Sequence, residues 1–290
     1  MRSLFIFTAA CLCLFMFSAV PAPCAGETVF GNADQNVFDK HDALFELYQP
    51  YLGNISGYKP VYFLFGVNPE NTKYQLSVKY RFVNPDSLLT AKYEWLRGFH
   101  IAYTQTSFWD LGGASQPFDN TAYKPEFFFL SPNFFSGRKD SQSHFFLQTG
   151  YEHESNGQAG ETSRSTNYLY IKPIYVFFHP ESKIGFQISP KIWTYFANTD
   201  RTNPDIDEYR GYFDLQFKFG RADLAVCDTH WQWAEKGHSV SLDVSYPLDR
   251  LIRFNPQLYL HVQYVNALAE SMLDYTERTE AFRIGVSIVR

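Results

Sequence analysis

His153 and Ser155 are separated by one residue, and Asn167 follows after the loop 156–166. A serine hydroxyl, an imidazole that can take its proton and an amide oxygen that can hold the other imidazole nitrogen are the parts of a serine hydrolase. In an extended strand the His-x-Ser spacing places both side chains on one side and near each other, as a nucleophile and its base require. With eight His in 290 residues, a single His-x-Ser pair is no more than chance supplies. Its weight comes from where it stands.

The segment 143–155 alternates. Phe145, Leu147, Thr149, Tyr151, His153 and Ser155 share one face, and Phe146, Gln148, Gly150, Glu152 and Glu154 share the other. The apolar face therefore ends in the His and the Ser. The next strand, expected at 167–178, opens with Asn167 on the face of Leu169 and Ile171, and the intervening loop returns it beside His153. Other His residues, His179 and His261 among them, show no metal spacing such as His-x-x-x-His, and no Gly-x-Ser-x-Gly elbow is present.

The same period-2 pattern runs through the chain. It predicts about twelve strands, near 60–67, 73–82, 99–108, 123–130, 143–155, 167–178, 184–196, 211–219, 223–233, 238–246, 255–265 and 281–289. Connections alternate in character from the third strand onward. Those at 110–122, 156–166, 197–210 and 266–280 are long and polar, with 234–237 a shorter member of the set. Those at 179–183, 220–222 and 247–254 are tighter, with 131–142 a longer member.

Composition limits the classes that fit. Phe is abundant, 29 residues beside 20 Tyr and 5 Trp, and the net charge is −5. Mean hydropathy is −0.28, and beyond the N-terminus no apolar run is long enough for a spanning helix. The acidic balance and the absence of a Lys/Arg block give no footprint for nucleic acid. The N-terminus reads as a secretory signal over residues 1–25: Arg2, then the apolar stretch Leu4 to Phe17, then small residues and prolines, with cleavage between Ala22 and Gly26. Cys11 and Cys13 leave with it. Cys24, a weak candidate for lipid modification after Pro-Ala-Pro, is expected to leave too, so Cys227 remains alone and no disulfide framework is expected. Residues 26–58 lack clean alternation and read as an N-terminal arm before a domain at 59–290.

Two architectures bury one face per strand. A sandwich or soluble barrel holds its apolar residues inside, and a transmembrane antiparallel β-barrel holds them outside. Long loops at one end, short turns at the other and an aromatic excess favour the all-β membrane barrel. Within that class a passive porin is the alternative to an enzyme, and a secreted β-sandwich is the alternative to both.

The stretch Tyr151-Glu-His-Glu-Ser-Asn-Gly157, followed by Thr162-Ser-Arg-Ser-Thr-Asn-Tyr-Leu-Tyr170, resembles the signature of the outer-membrane phospholipase A family. Ala102 to Thr106, Pro117-Phe118 with Tyr123 to Glu126, Asn203 to Ile206 and Glu270 to Tyr275 resemble further family segments in the same order. The resemblance implies a twelve-stranded outer-membrane barrel that cleaves acyl esters of phospholipids, sn-1 and sn-2, and of lysophospholipids. It implies Ser155 as nucleophile, His153 as general base, Asn167 orienting His153, and Gln105 supporting Asn167. It also implies a calcium-dependent homodimer, with Ca2+ bound by the carbonyls of Gln158 and Ser163 of one subunit and the hydroxyl of Ser115 of the other. Gln158 stands where the family often has Arg. The family's further calcium site in the monomer uses loop acids; here Gly160 replaces one of them and an insertion around Asp200-Arg-Thr blurs the other, so that site is not carried over. Arg290 stands where such barrels commonly end in an aromatic residue.

Overall fold

The computed structural model describes residues 51–66, 72–84, 87–136, 142–198, 202–253 and 256–290. The expected signal segment, most of the arm, and Asp200 and Arg201 lie outside the described residues. The chain divides into two units at Leu52, and all the strands belong to the second, Gly53–Arg290.

The alternating segments form strands β1 (Ile55–Gly57), β2 (Val61–Gly66), β3 (Thr72–Arg81), β4 (Phe99–Trp109), β5 (Phe118–Leu130), β6 (Ser143–Ser155), β7 (Ser165–His179), β8 (Ile184–Tyr195), β9 (Phe213–Arg221), β10 (Val226–Ala234), β11 (Gly237–Pro247), β12 (Tyr259–Leu268) and β13 (Arg278–Val289). Each pairs antiparallel with its neighbours. The last strand pairs with β2, Val286 facing Phe63, which closes β2 to β13 into the expected twelve-stranded barrel. Closure leaves no open sheet edge, the condition for strands to cross a bilayer. No helix among the described residues is long and apolar enough to cross one.

The short strand β1 is a difference from expectation. Its residues read as part of the arm, yet Ile55 faces Tyr80 and Gly57 faces Val78 on β3. Tyr62 of β2 then faces Gln75 on the same strand. Residues 58–61 therefore lie opposite only Leu76 and Ser77, and this bulge, which contains Pro60, is what hides the strand's alternation. The connection 82–98, which precedes the third strand from which the alternation of loops was expected, sits at the short-turn end but is long. It folds into α1 (Leu88–Lys92), where the Ser87 hydroxyl caps the helix by accepting from the Thr90 N–H at 3.2 Å.

The faces are inverted relative to a soluble protein. Leu76, Val78, Ile101, Tyr103, Phe127, Ile192, Phe217, Phe219, Phe282 and Ile284 are all exposed on the outside. Inside, Glu126, Glu152, Glu154, Gln148, Asp214, Gln263 and Arg283 are buried. Buried charges must be paired, and here they are. Lys191 lies 2.7 Å from Glu152, Lys124 3.2 Å from Glu154, Lys73 3.0 Å and Arg283 2.7 Å from Glu270, and Lys218 3.1 Å from Asp228. Lys124–Glu154 and Lys218–Asp228 join adjacent strands, and Lys73 and Arg283 reach Glu270 in the loop after β12, so the interior charge is neutralised along the barrel wall.

Candidate active site

β6 and β7 position the site. They pair from Ser143 opposite Phe177 to Ser155 opposite Ser165, with His153 directly facing Asn167. Both side chains leave the outer face, and His153 Nδ1 lies 2.8 Å from Asn167 Oδ1. Tyr151, two residues back along the same face, donates its hydroxyl to that oxygen at 2.5 Å. The other side of the amide is held from the loop after β8. Asn198 Oδ1 accepts from the Asn167 backbone N–H at 2.8 Å and from Asn167 Nδ2 at 3.4 Å, and Asn198 Nδ2 donates to Thr166 Oγ1 at 2.9 Å. With its nitrogen facing Asn198, Asn167 presents its oxygen to His153. The imidazole must then carry hydrogen on Nδ1, which leaves Nε2 as the proton acceptor.

Ser155 faces Tyr123 of β5 on one side and Ser165 of β7 on the other. Its hydroxyl has no hydrogen-bond partner among the described residues, so no competing bond holds it away from a substrate or from His153. Two residues on, Gly157 adopts φ +67°, and a Cβ there would come within 2.9 Å of the Tyr123 ring. Only glycine lets the chain turn beside Ser155 while that ring stays packed against it.

Gln105 is placed elsewhere than expected. It shares the outer face, but it faces Tyr123, and Tyr123 faces Ser155. Gln105 is thus three strand steps of about 4.8 Å from β7, too far to touch Asn167. Its amide donates to Tyr74 and Ser107, and Tyr103 donates to its carbonyl. The role expected of Gln105 is filled by Asn198 and Tyr151. The first gives no periodic signal because it lies in a loop. The second is visible in the sequence on the face of His153 but reads there only as part of the apolar surface.

The expected calcium ligands fall on two loops at the same end. Gln158 and Ser163 lie in the β6–β7 loop, which Asn156 staples. The Asn156 Oδ1 accepts from the Arg164 N–H at 2.9 Å and the Gln158 N–H at 3.3 Å, and its Nδ2 donates to the Thr162 carbonyl at 2.8 Å. Ser115 lies in the β4–β5 turn with φ 67°. All three offer hard, neutral oxygen, the donor type calcium prefers. The Ser163 carbonyl accepts from Arg164 Nη1 at 2.9 Å, a cationic donor that must turn away before the oxygen can serve a metal ion. No cluster of three or more His, Cys, Asp and Glu suited to a metal occurs among the described residues. The donor types alone suit an ion bound by carbonyl and hydroxyl oxygen.

Behind this loop the connection 269–277 packs against it, with the Arg164 guanidinium 5.8 Å from the centre of the Tyr275 ring. Tyr275 donates to Asp205, and burial, together with that carboxylate, pushes its hydroxyl up to about 12. It stays protonated, and so remains a donor, across the physiological range.

Comparison with known proteins bears on the family and the fold. Residues 53–288 match the family described as phospholipase A1. The chain is 28% identical to phospholipase A1 of Escherichia coli (strain K12) over 280 residues, covering 90% of this chain and 87% of that one. It is 28% identical to phospholipase A1 of Klebsiella pneumoniae over 306 residues, covering 96% of each. Among solved structures it resembles outer membrane phospholipase A from Escherichia coli, with TM-score 0.65 and 24% identity over 81% of this chain and 98% of that one. A calcium-bound dimer of the Salmonella typhi outer membrane phospholipase gives TM-score 0.65 at 23% identity, covering 81% of this chain and 92% of that one. The likeness to these structures concerns the fold; the match of the family along most of the barrel settles the relationship. The chain belongs to the phospholipase A1 family.

Proposed function

We propose that the protein is an outer-membrane phospholipase A that hydrolyses acyl esters of phospholipids and lysophospholipids at the lipid-facing surface of the barrel. One observation carries the reading: His153 and Asn167 form a hydrogen-bonded pair on a mainly apolar outer face, with an unengaged serine hydroxyl two residues from the histidine. Polar groups on such a face are costly and tend to be functional.

Ser155 Oγ attacks the ester carbonyl carbon while His153 Nε2 takes its proton. As the carbon–oxygen bond to the glycerol breaks, His153 returns that proton to the departing lysolipid oxygen, leaving an acyl group on Ser155. Water then attacks the acyl-enzyme, again deprotonated by His153, and the fatty acid leaves as Ser155 recovers its proton. Asn167 holds the imidazole in the required tautomer. An amide suits this place because a carboxylate facing hydrocarbon would cost about 3 kcal/mol, whereas the neutral group still accepts from Nδ1.

Calcium, held by Gln158, Ser163 and the partner subunit's Ser115, would supply positive charge beside the oxyanion. The chain's own contribution there is the Asn156-stapled loop that presents the two carbonyls. The Salmonella typhi relative is a dimer with bound calcium, which supports a calcium-dependent homodimer here. With the long loops facing outward, His153 and Ser155 meet acyl esters of the outer leaflet without the lipid leaving the membrane. Release of fatty acid from phospholipid in detergent with calcium tests the reading. It is lost in Ser155→Ala while the barrel, followed by heat-modifiable mobility, still forms; full release by that variant contradicts it.

A further inference from the structure

We propose that Arg210 is a positioning residue for the catalytic pair, acting through the sheet from the barrel interior; this rests on the assignment of Ser155, His153 and Asn167 above. Arg210 ends α2 (Ile206–Arg210), in the long connection between β8 and β9, and is buried. Its guanidinium forks onto Glu154, Nη1 at 2.6 Å from Oε2 and Nη2 at 3.2 Å from Oε1. Nη1 also donates to the Tyr168 hydroxyl at 2.7 Å, and Nη2 to the Ala269 carbonyl at 3.2 Å.

Two of those partners are sequence neighbours of the site. Glu154 is the residue between His153 and Ser155, and Tyr168 is the residue after Asn167. Because strand side chains alternate, Glu154 and Tyr168 point inward where the candidate catalytic residues point outward. One planar, bidentate group therefore ties β6 to β7 at the level where the outer face must hold its geometry. Neutralising Glu154 does not by itself call for this fork, since Lys124 Nζ also lies 3.2 Å from Glu154 Oε1.

The clamp is anchored in turn by the outer loops. Ile206 of α2 packs with Ala269, Met272 and Tyr275 in a buried cluster. Tyr195 donates to the Gly211 carbonyl at 2.9 Å, and the Lys236 N–H to the Glu208 carbonyl at 2.8 Å. The loops at this end thereby bear on the spacing of His153, Ser155 and Asn167, although none of their Arg210 contacts lies on the lipid side.

The test uses the full chain in detergent with calcium and two variants. Arg210→Lys keeps the charge and removes the fork. Arg210→Met removes the fork and its charge but leaves Glu154 paired with Lys124, so no lone buried charge is left to unfold the barrel. Both are expected to form the heat-modifiable barrel, to keep KM within about twofold and to lose about tenfold or more in kcat, since small misplacements of reacting groups are costly. Labelling of Ser155 by a sulfonyl fluoride should slow by a similar factor. Either folded variant with full kcat and an unchanged labelling rate overturns the clamp, because a merely structural role would move only thermal stability. A parent protein in which Ser155 is never labelled overturns the catalytic assignment itself, and with it the clamp.

Discussion

His153 and Asn167 face each other across β6 and β7, and the 2.8 Å bond between Nδ1 and Oδ1 runs directly from one strand to the next. Register alone brings the two side chains together, and the hairpin loop between them need supply only the turn. The geometry is therefore as rigid as the sheet, which suits residues that must keep their spacing in lipid.

Asn167→Ala should lower kcat by about ten- to a hundredfold with the barrel intact, the loss expected for one hydrogen bond of about 1–3 kcal/mol to a group that becomes charged. Steady-state kinetics in mixed micelles checks it. Unchanged kcat would remove Asn167 from the mechanism.

Asn198→Ala should reduce kcat more than Gln105→Ala does, because Asn198 holds the Asn167 amide whereas Gln105, among the described residues, bonds Tyr74, Ser107 and Tyr103. A direct comparison of the two variants under one assay decides this. The reverse order would place Gln105 back beside Asn167.

Gly157→Ala should destabilise the β6–β7 loop by about 1–2 kcal/mol, from the positive φ alone, and displace the Tyr123 ring that its Cβ would meet. Activity should fall more than barrel stability, as the strain lies next to Ser155. Wild-type activity in this variant would show that the turn is adaptable.

The strands are legible in the sequence because alternation survives in a barrel whose two faces are both specified, lipid outside and paired charge inside. His153, Ser155 and Asn167 can be read because polar residues interrupt the outer face at one level. What cannot be read depends on neighbours across strands or on loops. Gln105 sits on the right face, but the number of strands between it and β7 is a property of the register. Asn198 and Arg210 arrive from an irregular connection with no period, and β1 is hidden by the bulge at residues 58–61.

Glu270, in the loop after β12, sets a pH limit on the outer end. Burial by itself would raise its carboxyl, but Lys73 and Arg283 outweigh it and hold the group at about 2 against an ordinary value of 4.5. A depressed carboxyl contributes its full stability above 4.5 and loses it as pH falls through about 2. Limited proteolysis of the loop 269–277 should therefore be unchanged between pH 7 and pH 5 and rise only on stronger acidification. A rise already at pH 6 would contradict the pairing.

Chelation should abolish activity without unfolding the barrel, since the expected calcium oxygens lie on loops rather than in the sheet. Activity assays beside heat-modifiable mobility, with calcium and with chelator, check this, and crosslinking in the same samples reports the dimer. A strictly monomeric, chelated sample at full activity would show that neither calcium nor the partner subunit takes part.

The assignment of Ser155 as the nucleophile is tested most directly by covalent labelling with a sulfonyl fluoride followed by peptide mapping. The label should appear on Ser155 in the presence of calcium, in step with loss of phospholipid hydrolysis, and should be absent from His153→Ala. Complete loss of hydrolysis with the label on another residue, or no label under any condition that supports activity, would contradict it.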